Sequence, residues 1–192
     1  LSRLVALKLQ RPEAIVSPGL DGKQERVCVS VGGVAVEGNI DMVIRDPEGN
    51  GLELYRDRPK EAWPKGPLMF TAPLNLEKLL AENPDPTPLP PETLLGHLHL
   101  HVEDLAAAEA FFNGKLGMEV TLRTYPGALF FAWDGYHHHV GANTWAGRRT
   151  APPGATGLLG YTLLAPPGVP PGEHPDPTGA LARVLTEPPP SP

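Results

Sequence analysis

The chain has 192 residues, long enough to bury a core and short of two average domains. Its 25 prolines and 21 glycines interrupt regular structure at about a quarter of all positions, which excludes helical bundles and coiled coils. Sixteen Lys and Arg against 22 Asp and Glu give a net charge of -6, which excludes a basic nucleic-acid surface, and no apolar run reaches the roughly 18 residues of a membrane-spanning helix. The single cysteine, Cys28, cannot close an intrachain disulfide and has no nucleophile motif around it, so it reads as structural. Neither a signal peptide nor a start methionine opens the chain, so the expectation is a cytoplasmic protein of small-molecule chemistry that begins inside a longer sequence.

In chain order, residues 1–9 set Leu1, Leu4, Val5 and Leu7 among Arg3 and Lys8, which predicts the last turns of an amphipathic helix before Pro12. Residues 25–36 suggest a strand broken by Gly32 and Gly33. Residues 41–55 predict two antiparallel strands, because Asp46-Pro47-Glu48-Gly49-Asn50-Gly51 supplies the positive-φ positions of a tight reversal. In the second of these strands Leu52 and Leu54 face one side, Glu53 and Tyr55 the other. Residues 59–93 read as a proline-rich linker with a helical interlude at 74–80, which leaves 1–58 as the end of a first module pair.

The best-formed unit follows in residues 94–165. A strand at 95–102 leads to a helix at 105–113 behind an Asp104 N-cap, with a stop at Gly117. Strands follow at 119–123, 128–133 and 136–143, the last two joined by Asp134-Gly135, and a further strand at 158–164 opens another copy. The order is β-α-β-β-β, an α+β pattern. The proline-rich tail 166–192 is expected to be disordered, with His174 solvated. Trp63, Trp133 and Trp145 read as core or linker anchors, since no basic residues interleave with them.

Six of the seven histidines fall in two of these strands. In Gly96-His97-Leu98-His99-Leu100-His101-Val102, the strand period of two puts the histidines on one face and Leu98, Leu100 and Val102 on the other. Read as a strand, Tyr136-His137-His138-His139 presents His137 and His139 to one side and His138 to the other. If the two strands are neighbours, five imidazoles can line one hollow. A lone strand histidine is more often a solvated or hydrogen-bonded residue than a ligand, and Glu53 alone can be the polar face of a half-buried strand. Clustering favours a functional reading, because burying several titratable rings gains no stability. Two histidines with one carboxylate suit non-haem iron, and Glu53 is the strand carboxylate at hand. No P-loop, dinucleotide glycine fingerprint, Gly-x-Ser-x-Gly elbow or paired-cysteine zinc ribbon is present.

These residues resemble the vicinal oxygen chelate superfamily, which contains glyoxalase I, bleomycin-resistance proteins and extradiol dioxygenases. The resemblance rests on the β-α-β-β-β order, Gly96-His97 with Val102-Glu103-Asp104-Leu105, Phe111-Phe112 with Leu116-Gly117-Met118, and residues 46–55. Residues 136–145 look closest to the catechol 2,3-dioxygenase-like subgroup of four β-α-β-β-β modules. About 100 residues are covered. The resemblance implies a β-sheet cup, incomplete here, with metal ligands His97 and Glu53. His138 looks like the acid or base of ring cleavage, with His139 and His137 as its rivals. Gly19 to Asn39 departs from the family pattern, Gly160 stands where a histidine is expected, and the chain reads as truncated or frame-shifted with incomplete metal sites.

The resemblance further implies iron(II), with manganese, zinc or nickel as alternatives, and a small aromatic or vicinal-diol substrate. Extradiol cleavage is the leading expectation, beside a glyoxalase-type isomerase or lyase and a non-catalytic, resistance-type binding module. Weak or absent activity is expected unless a second chain completes the cup, and unpaired sheet edges make a homodimer plausible. No nucleic-acid or membrane partner is expected.

Overall fold

The computed structural model describes residues 4–8, 40–45, 51–57, 60–63, 94–147 and 157–187. Two compact units divide the chain, Ser2–Leu98 and His99–Pro192 with Leu1. The predicted strand at 25–36, the helical interlude at 74–80 and Cys28 lie outside the described residues.

In the first unit, β2 (Ile40–Arg45) and β3 (Gly51–Arg56) pair antiparallel with Arg45 opposite Gly51, as the reversal sequence between them requires. Residues 4–8 are strand β1 (Leu4–Lys8), not the end of a helix. They pair parallel with β3, Leu4 opposite Gly51 and Lys8 opposite Tyr55. Leu-Val-Ala-Leu is too short an apolar run for its period to separate strand from helix, and partnership with β3 decides between them. Glu53 and Tyr55, which the alternation placed on one side of β3, are both buried, so that side faces inward. A 3-10 turn, Lys60–Ala62, follows.

Strand β4 (Leu94–His101) begins in the first unit and ends in the second. Its apolar set is buried as the period-two reading requires: Leu98, Leu100 and, just beyond the strand, Val102. Asp104 then caps helix α1 (Leu105–Glu109), its carboxylate accepting the Ala106 N–H at 2.9 Å. The helix widens into a π-helical segment, Ala110–Lys115. It ends at Gly117, whose φ of +68° any other residue would adopt under strain. Phe112 packs on Phe131 with ring centroids 5.2 Å apart.

Strands β5 (Glu119–Leu122), β6 (Ala128–Ala132) and β7 (Val140–Asn143) form antiparallel pairs with β6 in the middle, and every residue of β6 and β7 is buried. Strand β7 is shorter than the predicted 136–143. Asp134 and Gly135 both take positive φ, the Tyr136 N–H bonds the Trp133 carbonyl, and pairing with β6 begins only at Phe131 opposite Val140. Residues 136–139 are therefore turn, and the strand alternation assumed for His137, His138 and His139 does not hold. Trp133 is buried with its indole N–H on the Leu116 carbonyl, as an anchor should be. Trp145 is exposed, yet its indole N–H ties it to the Pro126 carbonyl.

The proline-rich tail is ordered where disorder was expected. Strand β8 (Gly160–Leu164) pairs parallel with β10 (Leu181–Leu185), and β9 (Gly172–Pro175) pairs antiparallel with β10. Pro175 ends an edge strand, where a missing N–H costs no ladder bond, and Pro177 lies in the turn. Buried Asp176 holds that turn by accepting from the Thr178 N–H, the Thr178 hydroxyl and the Ala180 N–H on Oδ1 and from the Tyr161 hydroxyl on Oδ2. His174 is half-buried within β9 rather than solvated. Among the described residues no helix is long and apolar enough to cross a membrane.

Burial, and then the Asp176 charge and hydrogen bond, push the Tyr161 phenol well above its ordinary pKa. The folded phenol keeps its proton at pH values where the unfolded chain's tyrosine, ionising near about 10, has lost it, so stability falls as pH rises above that value. Urea unfolding between pH 8 and 11 is expected to show a shallower alkaline loss for Tyr161→Phe than for the parent chain, and equal slopes would refute the assignment.

Candidate functional site

The two predicted metal ligands meet within the first unit. His97 Nε2 lies 2.8 Å from Glu53 Oε2, and both residues are buried, at 4% and 5% exposure. The strand β3 period brings Tyr55 to the same ring: its hydroxyl is 3.1 Å from His97 Nδ1, with ring centroids 5.0 Å apart. Both nitrogens of His97 are thus engaged, one by a carboxylate and one by a phenol. Two ionisable groups leave water here together, which is tolerable only because each satisfies the other. A buried carboxylate oxygen and an imidazole nitrogen at this separation make a donor set that fits a divalent cation. Tyr55 was read only as the strand companion of Glu53. The signal was present in the spacing Glu53-Leu54-Tyr55, which places any neighbour of one within reach of the other.

A second cluster stands inside the second unit. His99 follows His97 by two residues on β4, so the strand period turns both rings to one side. His99 Nε2 is 3.2 Å from His138 Nε2, and His138 Nδ1 is 2.8 Å from His137 Nδ1, a file of three imidazoles. Phe130 walls this file, its ring edge-on to His99 and to His138 at 6.0 and 5.0 Å. Gly141 makes the room for it, since a Cβ there would fall 2.7 Å from His99 Nδ1. The turn carrying the file is pinned by the Thr121 hydroxyl, which donates to the His137 carbonyl at 2.7 Å. His97, His99 and His138 each offer one imidazole nitrogen of the kind a metal ion takes.

The remaining predicted residues lie elsewhere. His139 accepts the Trp133 N–H on Nδ1 at 3.3 Å and stacks on Tyr136, so five imidazoles do not gather as one set. His101, last of the β4 histidines, is half-buried, and its Nδ1 has no hydrogen-bond partner among the described residues.

The sequence is 43% identical over 135 residues to the catechol-2,3-dioxygenase of Bacillus subtilis (strain 168), an overlap of 65% of this chain and 47% of that protein. The chain therefore spans about half the length of this curated relative. No protein-family model matches the chain, and no solved structure does.

The Glu53–His97 pair has an asymmetric stability signature. His97→Leu strands a buried carboxylate and is expected to cost about 3–5 kcal/mol, whereas Glu53→Leu leaves a neutral imidazole short of one partner and is expected to cost about 1–3 kcal/mol. Urea unfolding of the metal-free chain measures both, and the reverse order would show that the pair is not buried as described.

Proposed function

We propose that this chain belongs to the vicinal oxygen chelate superfamily and carries the metal-binding and acid–base residues of an extradiol dioxygenase acting on a small aromatic diol. The observation that carries the reading is the buried Glu53–His97 pair, which contributes little net stability over apolar residues of similar size and so points to a ligand. Likeness to a catechol-2,3-dioxygenase supports the reaction class.

Glu53 Oε2 and His97 Nε2 are the ligand atoms of this proposal. Iron(II), when bound, supplies a centre that takes both oxygens of a catechol and admits dioxygen, which removes much of the entropic barrier of a three-body reaction. His138 is the proton carrier. Its Nε2 faces His99 and its Nδ1 faces His137, so a proton received at one ring nitrogen can leave from the other without the side chain turning. His138 is buried and sheltered by Phe130, which keeps bulk water from competing for that proton. His139, the other imidazole assigned to acid–base work, is the lesser carrier in this reading because Trp133 engages its Nδ1.

Anaerobic loading of the purified chain with iron(II), followed by catechol and air, tests the proposal. The parent chain is expected to retain iron and take up dioxygen. Glu53→Gln and His97→Gln are expected to lose both properties. His138→Ala is expected to keep the iron while slowing uptake by about 10²–10⁴-fold, the usual worth of a positioned acid or base. Undiminished iron retention in both ligand variants would overturn the site. Zinc or nickel retention without oxygen uptake would replace the reaction by a glyoxalase-type isomerisation.

A further inference from the structure

We propose that the Tyr55 hydroxyl is a positioning group for His97, serving the imidazole in both the metal-free and the metal-bound state by reversing the direction of one hydrogen bond. The inference rests on the reading of Glu53 and His97 as metal ligands.

The argument begins with the ring. A neutral imidazole has one N–H and one lone pair, so its two nitrogens cannot play the same part. In the metal-free chain His97 Nε2 sits 2.8 Å from the Glu53 carboxylate, which can only accept. The hydrogen therefore belongs on Nε2, and Nδ1 presents its lone pair to the Tyr55 hydroxyl at 3.1 Å, which donates. A cation taken by Nε2 and Glu53 needs the lone pair at Nε2, which moves the ring hydrogen to Nδ1. The group facing Nδ1 must then accept where it had donated.

A hydroxyl meets both demands from one position, because it carries one donor and two acceptor lone pairs and its hydrogen rotates freely. An ammonium, an indole or a carboxylate would suit only one of the two states. Tyr55 is 1% exposed, so no bulk water stands by to take over either role. Its ring, tilted 41° to that of His97, is held in the same strand as Glu53, so carboxylate and phenol grip the imidazole from one rigid element. Partners of this kind to a metal-bound histidine contribute about 10–100-fold in metal affinity.

The test uses zinc(II) as a diamagnetic probe on the full chain, with affinity measured by calorimetry and the His97 ring followed by nitrogen-15 NMR. The parent chain is expected to bind zinc and to show the His97 hydrogen on Nε2 before addition and on Nδ1 after it. Tyr55→Phe is expected to bind zinc about 10–100-fold more weakly. Equal affinity in the Phe variant, with only its metal-free melting temperature lowered, would make Tyr55 a packing residue and overturn the inference while leaving the metal site standing. If the Phe variant fails to fold, the NMR signature of the parent chain decides alone, and an Nδ1 hydrogen in the metal-free state overturns the inference. A parent chain that binds no zinc, nor iron(II) in the loading experiment, overturns the metal reading itself.

Discussion

The Glu53–His97 hydrogen bond is the constraint around which the chemistry of this chain is arranged. Each partner alone would be an unsatisfied polar group in a dry interior, and the requirement that both be satisfied fixes where β3 and the first half of β4 place their side chains. That arrangement is poor economy for stability alone, since two apolar residues would fill the same space at no electrostatic cost. What the pair offers instead is a hard oxygen and a borderline nitrogen held within 2.8 Å of each other, with Tyr55 preventing the ring from swinging away.

The imidazole file in the second unit is built by different means. Its members come from a strand and a tight turn rather than from two strands, and the turn exists because Asp134 and Gly135 take positive φ immediately after β6. Phe130 and Gly141 supply the complementary shape, one as a wall and the other as the absence of a side chain. The file therefore depends on apolar packing of β6 and β7 as much as on histidine chemistry.

Much of this was readable from periodicity. The alternation in residues 97–102 separated imidazoles from the apolar set correctly, the Asp46–Gly51 reversal gave the β2–β3 pair, and Asp104 and Gly117 marked the ends of the helical stretch. Three readings failed for identifiable reasons. Strand β1 offered five residues, too few for a period to speak, and its assignment rests on pairing with β3. The 136–139 segment carried no residue that forbids a strand, yet the Asp134-Gly135 turn delays pairing until Val140. The tail was judged by proline content, whereas what orders it is a single aspartate whose two oxygens bind the turn and Tyr161 at once. Tyr55 went unremarked because an aromatic residue in a strand looks like core, and nothing in its type announces that its hydroxyl has a task.

Strand β4 shows why chemistry and folding are hard to separate in such a chain. One face carries His97, His99 and His101, the other Leu98 and Leu100, so a shift of one residue in its register would send the apolar set toward the polar contacts and the imidazoles into the core. Burial of the leucines therefore fixes the histidines' direction more firmly than any contact the histidines make. The functional face inherits its precision from the apolar one, which is the reason a period-two pattern with three identical polar residues is informative about function and not merely about secondary structure.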